Sequence, residues 1–103
     1  MINIKANRKD GKIVYLSVEG HANSAEKGKD IVCAAVSAIS VGGINALTSP
    51  DKFNLKVDNG FVEVSSKGVA NEDDYKVLET MLTQLKSVAE SYSKYVKVIE
   101  KGN

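Results

Sequence analysis

Gly20-His21-Ala22-Asn23-Ser24-Ala25-Glu26-Lys27-Gly28-Lys29-Asp30-Ile31-Val32-Cys33-Ala34-Ala35-Val36-Ser37 holds the only histidine and the only cysteine of the 103-residue chain. It also holds the transition that organises the fold. A strand pattern ends at His21, a polar loop without large apolar anchors follows, and an apolar run opens after Asp30. Asp30 is a residue type that caps a helix start, which places Cys33 at the third helical position. A thiol there feels the positive end of the helix dipole, and backbone N–H groups without intrahelical partners lie around it. Both favour the thiolate.

Outward from this stretch, the chain reads as two similar parts. Each is a hairpin followed by a helix, and a last strand closes the chain. The first hairpin turns at Lys9-Asp10-Gly11. A two-residue Asp10-Gly11 turn pairs Ile4 with Ser17 and sets polar against apolar. A three-residue loop instead pairs Ala6 with Val14, Ile4 with Leu16 and Ile2 with Val18, with Gly11 left-handed. The second register is expected because it makes one apolar face. Asn59-Gly60 marks the second hairpin, pairing Val57 with Val62 and Leu55 with Val64, and Lys56 with Glu63 on the other face.

The helix after Asp30 is apolar on nearly all sides and is expected to be central and buried. Its Gly42 and Gly43 allow either close packing or a kink, and Pro50 fits a stop signal. The second helix starts at Asn71, with Asp74 three residues on as a weak variant of the capping box. Val77, Leu78, Met81, Leu82, Leu85, Val88, Ala89 and Tyr92 recur at helical spacing. Lys76, Glu79, Thr83, Lys86 and Glu90 form the opposite face, read as solvated. Tyr95 to Ile99 reads as a closing strand. The expectation is a single α+β domain over residues 1–103, with a mixed sheet of about five strands and two helices.

Composition narrows the function. Hydrophobic content is 43% and charged content 26%, in the range of globular chains, and this length buries roughly two-thirds of the unfolded surface. A net charge of +1, with scattered basic residues, does not support nucleic-acid binding by counterion release. One cysteine cannot form an internal disulfide, which points to a reducing, cytosolic compartment. The N-terminal residues have no signal layout, and the apolar run from Ile31 to Leu47 is too short and too interrupted to span a bilayer. One cysteine and one histidine fall short of a structural zinc set of about four ligands. No phosphate-binding glycine loop is present, so no metal or other cofactor is expected.

The chemistry concentrates on the opening stretch. Cys33, Ser37 and Ser40 share one stripe of the helix. The two serines either line a polar pocket or bond back to the preceding turn. The amides of Cys33 and Ala34 are placed to receive an oxyanion, and the small Ala34 and Ala35 let a substrate backbone approach. The loop from Asn23 to Lys29, with Ser24 and Gly28, is read as a mobile lid. Asp30 is first a cap and, in addition, a candidate neighbour of His21. Taken singly, His21 reads as a surface residue and Cys33 as a small buried hydrophobe. Taken as a pair across a loop, they read as a nucleophile and its base.

These residues resemble a known pattern. Gly20-His21-Ala22, a loop with Gly28, and Asp30-Ile31-Val32-Cys33-Ala34-Ala35-Val36-Ser37 are similar to the signature of the ribosomal-processing cysteine protease Prp family. Leu85 to Val96 is similar to that family's helix-to-strand segment, so the resemblance covers essentially the whole chain. It implies a cysteine endopeptidase that removes the N-terminal extension of large-subunit ribosomal protein number twenty-seven. Removal frees an N-terminal arm that reaches toward the peptidyl-transferase centre. The family's histidine, cysteine, aspartate and serine fall on His21, Cys33, Asp30 and Ser37. The resemblance further implies an apolar pocket for an extended, aromatic-containing peptide, a flexible loop over the site and a homodimer. Competing readings are a non-catalytic ribosome-assembly factor and a redox-sensing thiol; the latter gives the Asp30–Ser37 spacing no task.

Overall fold

The computed structural model describes residues 1–25 and 30–103. Strands β1 (Ile2–Lys9) and β2 (Lys12–Gly20) precede helix α1 (Ile31–Asn45). A 3-10 turn (Pro50–Lys52) leads into β3 (Phe53–Asp58) and β4 (Phe61–Ser66). Helix α2 (Glu72–Ser91) and strand β5 (Val96–Gly102) complete the chain. The sheet order is β3-β4-β2-β1-β5, with β5 parallel to β1 and the other pairs antiparallel. This is the expected α+β architecture with a mixed five-stranded sheet. Alternate strand residues point to the helices: Ile2, Ile4 and Ala6 from β1, Leu16 and Val18 from β2, and Val62 and Val64 from β4 are all buried in one core.

The second hairpin has the expected register, with Val57 opposite Val62 and Leu55 opposite Val64. The first does not. Asp10 and Gly11 form a two-residue turn with φ of +52° and +77°, the left-handed pair that matches the twist of a hairpin. Arg8 pairs with Ile13 but Asn7 pairs with Tyr15, so Val14 is an extra residue on β2. That bulge moves the register by one, and Ile4 faces Val18 while Ala6 faces Leu16. The polar-against-apolar clash that argued against the short turn is removed by the bulge.

Helix α1 is not central. It buries Val32, Val36, Ser40 and Ile44, while Ile31 is 65% and Val41 38% exposed. With a sheet on one side and α2 beside it, only one stripe is covered, and the remaining apolar side faces outward. Gly43 lies where an added Cβ would come 2.3 Å from Met81 Cγ, so it serves close packing against α2.

Helix α2 buries Tyr75, Leu78, Met81, Leu82 and Leu85. Its outer charges are not all simply solvated. Glu79 pairs with Arg8 of β1, and Lys86 lies 2.6 Å from Glu100 of β5, which in turn reaches Arg8 at 3.6 Å. Asn71 caps the helix by accepting from the Asp74 amide at 2.7 Å. The reciprocal half of a capping box is missing. Asp74, 0% exposed, instead accepts from the Thr48 amide at 2.7 Å, the Thr48 hydroxyl at 2.8 Å and the Ser49 amide at 3.0 Å. Burial opposes its charge, but the Thr48 and Ser49 donors outweigh it and hold the carboxyl below the usual range.

Candidate active site

A groove of about 610 Å³ lies between α1 and the end of the β3–β4 hairpin. His21, Asp30, Cys33, Ala34 and Ser37 all line it. Its apolar wall comes from Val41 of α1, Val57 of β3 and Val62 of β4. No helix is long and apolar enough to cross a membrane, and no group of three or more His, Cys, Asp or Glu side chains is placed to hold a metal, among the described residues.

Asp30 builds the start of α1. Its Oδ1 accepts from the amides of Val32 and Cys33, both at 3.0 Å, and from the Ser24 hydroxyl at 2.5 Å. Its Oδ2 accepts from the Ser24 amide at 2.8 Å. The Ser24 hydroxyl and the Cys33 amide lead in holding this carboxyl well below the usual carboxylate range, against an opposing contribution from burial. The carboxylate is therefore a fixed negative charge at the foot of the helix. It tethers Ser24 across the loop rather than bonding to His21.

This cap overturns the expected oxyanion site. The Cys33 amide is taken by Asp30 Oδ1, and the Ala34 amide donates to the Asp30 carbonyl at 3.0 Å. Neither is free to receive a developing negative charge. A capping aspartate satisfies the very donors that a helix start leaves open. Ala34 remains in the groove as a small, exposed wall residue.

Cys33 is half-buried and packs against the core. Its Sγ accepts a hydrogen bond from the backbone N–H of Ala22 at 3.3 Å. Sequence reasoning missed this donor, because a backbone amide leaves no mark in residue types. The segment that aims it is well held. The Gly20 amide donates to the Gly60 carbonyl at 2.9 Å, and Met1 N donates to the His21 carbonyl at 2.8 Å. Gly20 has φ +105°, and a Cβ there would lie 2.3 Å from the Met1 carbonyl oxygen, so only glycine fits.

The His21 side chain is exposed and stands over the β3–β4 turn, where a Cβ added to Gly60 would come 2.6 Å from Nε2. Imidazole and sulfur thus open onto one groove, with no hydrogen bond between them among the described residues. Ser40 bonds back to the Val36 carbonyl at 2.7 Å and is buried. Ser37, one turn after Cys33, lines the groove instead. Of the loop residues read as a lid, Asn23 has φ +54° and lines the groove, and Ser24 is bound to Asp30. Gly28 and Lys29 lie outside the described residues.

The family model for cysteine protease Prp matches residues 1–97. The chain belongs to the cysteine protease Prp family. A relative from Mycoplasma genitalium, named ribosomal processing cysteine protease Prp, is 37% identical over 102 residues, covering 98% of this chain and 95% of the relative. A Staphylococcus aureus relative of the same name is 35% identical over 94 residues, covering 86% and 88%. A crystal structure of the S. aureus protease, in complex with a covalently linked product peptide, superimposes with a TM-score of 0.87 at 31% identity. That superposition covers 98% of this chain and all of the other. Family membership accordingly makes the chain a cysteine protease.

Proposed function

We propose that the chain is a cytoplasmic, cofactor-independent endopeptidase that removes the N-terminal extension of large-subunit ribosomal protein number twenty-seven, using His21 and Cys33. The observation that carries this reading is the opening of both side chains onto one apolar-walled groove of about 610 Å³, large enough for several residues of an extended peptide. Val41, Val57 and Val62 suit an aromatic side chain near the scissile bond. Cys33 loses its proton to His21, and the sulfur attacks the scissile carbonyl carbon. The tetrahedral intermediate collapses as the carbon–nitrogen bond breaks and His21 returns the proton to the leaving amine. Water, deprotonated by His21, then attacks the thioester and releases the carboxylate product and the thiol. His21 must leave its place over Gly60 for the first transfer, a rotamer change that binding of the peptide supports. Asp30 keeps the helix start in position, and Ser37 contacts the bound peptide.

The working form is a homodimer. Its support is the outward apolar side of α1, with Ile31 and Val41 exposed.

The test is cleavage of a synthetic peptide spanning the extension and its junction, followed by mass spectrometry. Cys33→Ala and Cys33→Ser are expected to lose turnover by at least about 10³-fold while keeping the wild-type circular dichroism spectrum and melting curve. Undiminished cleavage by the alanine variant would falsify the assignment of Cys33, and binding of the peptide without cleavage by the wild-type chain would favour an assembly factor.

A further inference from the structure

We infer that the backbone N–H of Ala22, and not the start of α1, is the donor that carries the negative charge of the Cys33 sulfur. This deepens the reading of Cys33 as the nucleophile and rests on it. Three observations converge. Three amides of the first helical turn are already committed: Val32 and Cys33 to Asp30 Oδ1, Ala34 to the Asp30 carbonyl. The charge of Asp30 itself sits at the helix foot and opposes the positive pole of the dipole there. The Ala22 N–H, in contrast, points at Sγ from 3.3 Å.

The chemistry of the pairing gives it direction. Ala22 is 4% exposed, so its amide has little water to turn to. A neutral thiol is a weak acceptor, whereas a thiolate is a strong one. An enclosed N–H whose partner is sulfur is poorly satisfied by the thiol and well satisfied by the thiolate. The geometry is built in from both sides: Gly20 locks to Gly60, the His21 carbonyl takes Met1 N, and the Asp30 cap sets where Cys33 enters the helix. The same peptide unit that carries the His21 carbonyl presents the Ala22 N–H, so base and charge-bearing donor arrive on adjacent residues. The ionisable groups around the pairing are His21 from the end of β2, Asp30 from the start of α1 and Asp58 from the end of β3, which share the groove, and the Met1 ammonium, which donates to the His21 carbonyl, among the described residues.

The experiment follows every backbone amide proton of the ¹⁵N-labelled full chain by NMR through a pH titration of the thiol. The Ala22 proton is expected to show the largest downfield movement, with a midpoint equal to that of iodoacetamide alkylation. Cys33→Ala keeps the Met1 ammonium, His21, Asp30 and Asp58 and removes the thiol alone, so the step at the alkylation midpoint must vanish in it. A stationary Ala22 proton, or a larger movement at Cys33 or Ala34, overturns the inference. A second measurement replaces the Ala22 amide by an ester in a chain ligated at Cys33. Alkylation at pH 7 is expected to slow about tenfold, the loss of one hydrogen bond to a charged group. An unchanged rate in the folded ester chain overturns the inference equally. Neither readout depends on proteolysis, so a failure of the protease assignment and a failure of this one are told apart.

Discussion

The two helices begin with the same construction and use it for opposite ends. Asp30 caps α1 and Asn71 caps α2, each accepting from the amide three residues on. The residue at that third position is Cys33 in α1 and Asp74 in α2. Asp74 is wholly enclosed and accepts from three donors of residues 48 and 49. Cys33 is half-buried, has one donor from Ala22, and faces a groove. A buried polar group enclosed by its donors ties two segments together. A polar group with one hydrogen-bond partner and space in front of it is available for chemistry.

Substitutions on either side can break that comparison. The largest expected effect is on rate alone. His21→Ala should lower kcat/KM by about 10²–10⁴-fold, the usual worth of general acid–base help, with an unchanged melting curve. A loss of stability of the same order would make His21 a structural residue like Asp74.

Next comes an effect on stability alone. Asp74→Ala leaves the Thr48 and Ser49 amides without their acceptor and should cost about 3 kcal/mol, lowering Tm by roughly 12–24 °C. Turnover by the folded enzyme at low temperature should remain near wild type. Calorimetry and peptide assays on one preparation check both halves.

A pH experiment sharpens the same point. Donors hold the Asp74 carboxyl below its unfolded value of about 4. Its contribution is therefore complete above that pH and is lost as pH falls below it. The stability gap between wild type and Asp74→Ala should narrow on acidification from about pH 5 to about pH 2. A gap that stays constant would show that the ionised form is not what residues 48 and 49 hold.

The smallest effect separates the caps. Asn71→Ala should cost about 1 kcal/mol, a fall of roughly 4–8 °C in Tm, with no change in turnover. Asp30→Ala should lower Tm and turnover together, because its carboxylate also positions Cys33 and Ser24. If Asp30→Ala left turnover intact, the two caps would be equivalent.

The parts legible in the sequence were those set by local chemistry. Asn59-Gly60 specifies its own hairpin, and Asp30 and Asn71 announce their helices. His21 and Cys33 stand out as the chain's only residues of their types. What escaped depends on distant partners. The register of β1 against β2 turns on an extra residue at Val14, which local patterning counted as an ordinary strand position. The apolar character of α1 suggested burial, yet the five-stranded sheet and α2 cover only the stripe through Val32, Val36, Ser40 and Ile44. The commitment of the Cys33 and Ala34 amides follows from geometry around Asp30, and the Ala22 donor from the way β2 ends against Gly60.

Strand β3 has a consequence for handling the protein. It lies at the margin of the sheet, with Leu55 37% and Val57 55% exposed. An unpaired margin of this kind invites chains to zip together into filaments. Lys56 and Asp58 interrupt the apolar residues with opposite charges. They act as gatekeepers, so neutralising them would trade a clear solution for one that gels.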